Sequence, residues 1–278
     1  MTSPLISATD LARELESAAP PLVLDASFAL GMPDFGWGRH KAGHIPGSLF
    51  VDVDQVFSGP VREDGRGGRH PLPDPDRLQQ DLRALGLDDD SRVVVYDQGP
   101  SIGAARVWWV LRDAGVVEVR VLDGGFARWQ AAGLPSTSDT TPEPAAGSFT
   151  VRPGRLTVVD AHGIPQHLAS GHQVIDVRTA ERFRGESEPI DPVAGHIPGA
   201  VNLPAGELST TEGFKTPDDL REVFSGVGEG DVFSCGSGIT AAHALLAAEH
   251  AGITGLGIYP GSWSDWISDP DREVATGE

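Results

Sequence analysis

Gly43-His44-Ile45-Pro46-Gly47 recurs unchanged as Gly195-His196-Ile197-Pro198-Gly199, and the reading of that repeat decides the fold. Taken alone, the pentapeptide is a turn with a hydrogen-bonding histidine, so His44 and His196 are expected to be structural. Its flanks carry more. Upstream of each copy lies a short apolar strand ending in an acid, Leu22-Val23-Leu24-Asp25 and Val174-Ile175-Asp176. Downstream, a second apolar run enters a loop and a helical stretch: Arg92 to Asp97 before Ala104 to Ala114, and Asp231 to Cys235 before Ala241 to Ala251. Each half then reaches a glycine turn and a tryptophan, at Gly124-Gly125-Phe126-Ala127-Arg128-Trp129 and Gly261-Ser262-Trp263-Ser264-Asp265-Trp266. A two-copy repeat with units this long is a tandem of globular domains, because solenoids use much shorter periods.

The expected organisation is a first domain over residues 1–140, a linker over 141–155 and a second domain over 156–278. The stretch from Pro135 to Gly147 is rich in Pro, Ser, Thr and Ala without an apolar period, as a surface linker is. Within each half, runs such as Val93-Val94-Val95-Tyr96 and Val119-Arg120-Val121-Leu122 alternate with helical stretches such as Leu11 to Ala18 and Leu78 to Leu85. Short, nearly continuous apolar strands separated by helices predict an α/β fold, each domain a mainly parallel sheet flanked by helices. Ligands in such sheets bind beyond the carboxyl ends of strands, and Cys235 falls at one of them.

Bulk properties narrow the function. The 278 residues carry a formal charge of -19, which repels phosphate backbones and anionic lipid and argues against nucleic-acid or membrane partners. An anionic substrate must then be drawn in by local cations. The single cysteine cannot form an internal disulfide, which fits a reducing, cytoplasmic setting. Met1 to Leu11 lacks a basic region followed by an apolar run. No metal site is visible, since the nine histidines form no ligand-spaced cluster, and Gly236 and Gly238 lack the lysine of a nucleotide loop. No cofactor is expected.

That lone thiol opens the run Cys235-Gly236-Ser237-Gly238-Ile239-Thr240. A cysteine is commonly a small buried filler, but two glycines and a serine let the backbone curl around a sulfur atom. Amides converging at the start of a helix favour an anion, so Cys235 is a candidate nucleophile.

These features together resemble the two-domain rhodanese-like sulfurtransferases over essentially the whole chain. The resemblance implies a non-catalytic first domain, with Asp97 standing where the second has Cys235, and a persulfide loop formed by Cys235, Gly236, Ser237, Gly238, Ile239 and Thr240. Members acting on thiosulfate resemble Cys-Arg-Lys-Gly-Val-Thr, whereas those acting on 3-mercaptopyruvate resemble Cys-Gly-Ser-Gly-Val-Thr; the neutral loop here is similar to the second. It also implies a Ser-His-Asp relay mapping onto Ser237, His70 and Asp54, with Asp52 a neighbouring alternative. With His70 and Asp54 in the first half of the sequence, the resemblance places the active site at the domain interface. Arg182 matches the family's substrate-binding arginine. A second arginine, usual a little further on after Glu-Pro, is absent here, where the chain reads Glu188-Pro189-Ile190-Asp191. Arg178, Arg184, Arg66 and Arg69 are the candidates to replace it.

The expected partners are a small-molecule sulfur donor and a thiol or thioredoxin-like acceptor. Thiosulfate remains the alternative donor, and a non-catalytic sulfur carrier the alternative role. Phosphatase chemistry is discounted, because the arginine that closes a Cys-x5-Arg phosphate loop is replaced by Ala241. The tryptophans read as core, with Trp37 a candidate to line a pocket.

Overall fold

The computed structural model describes residues 3–278, which divide into two units. One comprises the chain up to Ser58, Pro73–Arg155 and Thr210–Phe214; the other comprises Gly59–Leu72, Leu156–Ser209 and Lys215–Glu278. The segment carrying Arg69 and His70 is therefore grouped with the second unit, although it precedes that unit's main body by more than eighty positions.

In chain order the first unit contains β1 (Leu5–Ile6), α1 (Ala8–Leu15), β2 (Leu22–Asp25), α2 (Phe35–Ala42), β3 (Leu49–Phe50), α3 (Pro75–Ala84), β4 (Arg92–Tyr96), α4 (Ile102–Asp113), β5 (Glu118–Leu122) and α5 (Gly125–Ala131). Its five strands pair in parallel in the order β1-β5-β4-β2-β3. Val93, Val94, Val95 and Tyr96 expose no surface, so both faces of central β4 are covered, as the unbroken apolar run requires. Helix α1 starts earlier than its apolar positions suggest, because Ser7 Oγ caps it by accepting from the Asp10 N–H. Asp74 does the same for α3, with Pro75 in the first turn.

The stretch read as a linker is bound to the first unit. Thr137 bridges His44 in antiparallel fashion, Gly147 N–H donates to Arg83 O (2.8 Å), and Phe149 is buried beneath a hydrogen bond from Arg83 Nε to its carbonyl. A single buried side chain, Phe149, and scattered backbone hydrogen bonds leave no periodic signal in the sequence.

After β4 the chain turns at Asp97, whose buried carboxylate gathers the loop around it. Oδ1 accepts from the N–H groups of Gly99 and Ser101, and Oδ2 from those of Gly103 and Ala104. Burial pushes the Asp97 carboxyl up, against the pull of these amides. A carboxyl side chain thus fills the cradle that the turn creates.

The second unit repeats the plan with β6 (Thr157–Val158), α6 (Ile164–Ala169), β7 (Val174–Asp176), α7 (Ala180–Phe183), β8 (Val201–Asn202), α8 (Pro217–Val223), β11 (Val232–Ser234), α9 (Ile239–His250), β12 (Gly257–Ile258) and α10 (Ser262–Trp266); between β8 and α8 the chain forms the pair β9 (Ser209–Thr210) and β10 (Gly213–Phe214), of which Thr210–Phe214 is grouped with the first unit. The order β6-β12-β11-β7-β8, again all parallel, is the permutation of the first sheet. Ile164, Val174, Ile197, Val232, Tyr259, Trp263 and Trp266 build its core. The repeated histidines do equivalent structural work: His44 Nδ1 meets His40 O (2.8 Å) and His196 Nδ1 meets Phe183 O (2.7 Å). Among the tryptophans, Trp37 is the exposed one, stacked on His40 in the first unit.

Candidate active site

Cys235 follows β11 as Asp97 follows β4, at the carboxyl end of the central strand. Gly238 N–H points at Sγ from 3.1 Å and Ser237 N–H from 3.5 Å. Gly238 sits at φ +83°, and a Cβ there would lie 2.2 Å from Pro260 O, so the turn that brings these amides to the sulfur needs glycine at that position. Helix α9 starts at Ile239, directing its N-terminus toward the loop, with Thr240 in its first turn. Cys235 itself is 2 % exposed, so the loop covers almost all of its surface.

The turn before α10 holds this loop in place. Ser262, buried at φ +53°, accepts at Oγ from Cys235 N–H (3.0 Å), while its own hydroxyl donates to Tyr259 O at 2.9 Å in preference to the sulfur 3.9 Å away. Trp263 N–H and Ser264 N–H then donate to the carbonyls of Cys235 and Gly236. The same turn binds the segment carrying His70. Gly67 N–H donates to Asp265 Oδ1 (2.7 Å), and Arg69 N–H donates to Ser264 Oγ (3.1 Å). Gly68, at φ +76°, packs where a Cβ would strike Gly261 O at 2.4 Å. Asp265 is locked in turn by the Tyr259 hydroxyl (2.6 Å), and burial next to this carboxylate pushes the phenol's titration upward. In sequence this turn reads as a glycine turn with core tryptophans, which leaves Ser262, Ser264 and Asp265 unmarked as positioning groups. A buried aspartate beside a tyrosine six residues upstream was the available signal.

His70 is thereby brought to Ser237, Nδ1 to Oγ 2.8 Å, with both side chains buried. In the tautomer with Nδ1 bare, the serine hydroxyl donates to the imidazole, which is the direction a proton relay needs. Asp54 is grouped with the first unit, where its N–H donates to the Asp52 carboxylate.

Two guanidiniums flank the loop. A Cβ built on Gly236 would lie 3.0 Å from Arg69 Nη2 and 3.6 and 3.8 Å from Arg182 Nη2 and Nη1. Arg182 projects from α7 and is held by Glu188, Nε to Oε2 at 3.0 Å and Nη2 to Oε1 at 2.8 Å. Asp191 joins the two cations, pairing through Oδ1 with Arg69 Nη1 and through Oδ2 with Arg182 Nη2 (3.2 Å). Burial pushes the Asp191 carboxyl up and Arg69 pulls it back only in part. Burial acts the same way on Glu188, but there Arg182 and the amides of Asp191 and Ile190 prevail and hold the carboxyl below its usual range.

Of the arginines considered as substitutes for the missing second one, Arg178 is committed elsewhere. It is buried, paired with Asp176 and Glu188, bonded to Gly195 O and stacked over Trp263. Arg184 pairs with Glu186, and Arg66 is exposed. Arg69 is the one set against the Cys235 loop. Among the described residues no group of three or more His, Cys, Asp or Glu is placed to hold a metal ion.

Comparison with known proteins agrees with this architecture. The rhodanese-like domain family matches residues 7–132 and 161–269. A protein of Pseudomonas aeruginosa named "Probable 3-mercaptopyruvate sulfurtransferase" is 45% identical, with 99% of this chain and 98% of that protein covered. A Mycobacterium tuberculosis protein named "Putative thiosulfate sulfurtransferase SseB" is 40% identical over 98% of this chain and 97% of its own. The crystal structure of Escherichia coli SseA, a 3-mercaptopyruvate sulfotransferase of rhodanese fold, superimposes with a TM-score of 0.80 at 33% identity, covering 94% of this chain and 99% of that one.

Proposed function

The chain belongs to the rhodanese-like family as a sulfurtransferase of two such domains, and from that premise we propose that it moves sulfur from 3-mercaptopyruvate through a Cys235 persulfide to a thiol acceptor. The observation that carries the donor assignment is the loop itself. The loop places the Ser237 and Gly238 amides at the sulfur and the Ser237 hydroxyl on His70, with no side-chain cation within it, while two guanidiniums stand to one side at Gly236. A donor with its carboxylate set away from its sulfur fits that spacing.

In the first step the Cys235 thiolate attacks the donor sulfur. A sulfur–sulfur bond forms, the carbon–sulfur bond breaks, and its electron pair passes into the enolate of pyruvate. The proton leaving the donor thiol must end on the enolate carbon, and the Ser237–His70 pair is suited to shuttle it. Asp54 is proposed as the relay's third member. Gly238 and Ser237 amides stabilise the Cys235 sulfur where it is anionic, before attack and again as the leaving group of the second step. In the second step an acceptor thiolate attacks the outer sulfur, leaves as a persulfide and restores the Cys235 thiolate. The acceptor is a small thiol or a thioredoxin-like protein, and the lone cysteine suits a reducing compartment such as the cytoplasm. No helix of the described residues is long and apolar enough to cross a membrane.

Arg182 and Arg69 together are proposed as the carboxylate clamp, Arg69 taking the place of the arginine missing near Glu188. The donor is tested by side-by-side rates with 3-mercaptopyruvate and thiosulfate. Pyruvate release with the higher kcat/KM supports this assignment; preferential use of thiosulfate would replace it.

A further inference from the structure

We infer that Asp191 is a specificity-determining residue: it cancels cationic charge at the rim of the Cys235 loop, so that the donor site selects a singly charged anion over a doubly charged one. The inference rests on reading Arg69 and Arg182 as the donor's anion site. Its own ground is the ion-pair pattern. Asp191 is 8 % exposed and spans the two guanidiniums that face Gly236, one carboxylate oxygen on each. Arg182 is further neutralised by Glu188. Glu188 also pairs with Arg178, which Asp176 neutralises in turn, so three cations and three carboxylates leave the cluster without net charge, in a chain whose overall charge of -19 adds no attraction for anions.

This arrangement is costly unless it does something. A buried carboxylate beside two guanidiniums occupies the kind of bond that an incoming anion would make, and Arg69 Nε is left buried without a hydrogen-bond partner. A donor carboxylate can share these cations, using the Nη atoms turned toward Gly236, while Asp191 remains in place. A compact dianion gains twice as much from any net positive charge and so loses twice as much from its cancellation. At a separation of about 7 Å and an effective dielectric of about 20, removing one carboxylate charge changes anion affinity by roughly 10- to 50-fold per unit of ligand charge.

The test replaces Asp191→Asn, which preserves shape and one accepting oxygen while removing the charge. Anion binding is read without any donor, as protection of Cys235 from the neutral reagent iodoacetamide by sulfate and by pyruvate. The expected result is that sulfate affinity rises at least about tenfold more than pyruvate affinity, and that kcat/KM for thiosulfate rises relative to 3-mercaptopyruvate by a similar factor. Equal changes for both anions would reduce Asp191 to a structural brace and overturn the inference. Should the variant not fold, the wild type decides: pyruvate protecting at least as well as sulfate supports the inference, and a clear preference for sulfate sinks it. Failure of the wild type to release pyruvate from 3-mercaptopyruvate would instead refute the donor assignment, leaving the protection result to stand or fall separately.

Discussion

Gly238→Ala tests whether the loop geometry makes the nucleophile. The residue adopts φ +83°, and its missing Cβ would lie 2.2 Å from Pro260 O. An L-residue in the left-handed region costs roughly 1–2 kcal/mol before the overlap is counted. Backbone oxygen cannot yield as a side-chain tip can, so the loop must shift and take the Gly238 N–H, now 3.1 Å from Sγ, with it. A hydrogen bond to a charged acceptor contributes about 1.5–3 kcal/mol, which corresponds to about a 10- to 150-fold loss of rate when it is removed from the reacting anion. The assay is alkylation of Cys235 by iodoacetamide at neutral pH, followed by single-turnover sulfur transfer, with thermal unfolding to show that the variant is folded. Gly236→Ala is the companion, because its Cβ meets flexible side-chain ends rather than backbone, Arg69 Nη2 at 3.0 Å and Arg182 Nη2 and Nη1 at 3.6 and 3.8 Å. That change should spare alkylation and raise KM. A folded Gly238→Ala protein that alkylates and turns over at wild-type rates would refute the reasoning.

Arg182→Ala should raise KM for 3-mercaptopyruvate about tenfold or more and lower kcat less, as measured in steady-state pyruvate release; an unchanged KM would locate the donor carboxylate elsewhere. His70→Ala should slow the pyruvate-forming step strongly and thiosulfate use only modestly, since thiosulfate leaves no enolate to protonate; equal losses in stopped-flow traces would remove the relay. Glu14 accepts bidentate bonds from Arg120 and one from Arg92, and the Arg120 hydrogen bonds hold its carboxyl below the usual range. Because that titration is depressed in the folded state, the stabilisation is present above the unfolded carboxyl's range and is lost as pH falls through the folded one. Glu14→Gln should therefore cost about 1 kcal/mol at pH ~7 and almost nothing at pH ~3 in denaturant melts; a difference that does not shrink with acid would contradict it.

Much of the molecule was legible because the chain states it twice. The paired acids Asp25 and Asp176, the two Gly-His-Ile-Pro-Gly turns and the two apolar runs before Asp97 and Cys235 map onto sheets of identical order. Local patterning erred where a cap outranks periodicity: Ser7 starts α1 at Ala8 where the apolar pattern began at Leu11. The His70–Ser237 contact was anticipated through resemblance, but its supports were not. Gly67 reaches Asp265 and Arg69 reaches Asp191 across separations of 198 and 122 residues, contacts that no periodicity encodes. Arg69 was one name among four, and Asp191 entered only as the residue in a spot where an arginine was missing. What makes it informative is the pair of guanidiniums it joins, which is a property of the folded chain.

The central claim, that Cys235 carries the transferred sulfur, is met most directly by intact mass of the protein after brief incubation with 3-mercaptopyruvate and removal of excess donor. The expected result is a gain equal to one sulfur atom, located on Cys235, erased by an added thiol and absent from Cys235→Ser. An unmodified wild type that nonetheless releases pyruvate, or a sulfur gain that survives in Cys235→Ser, would contradict it.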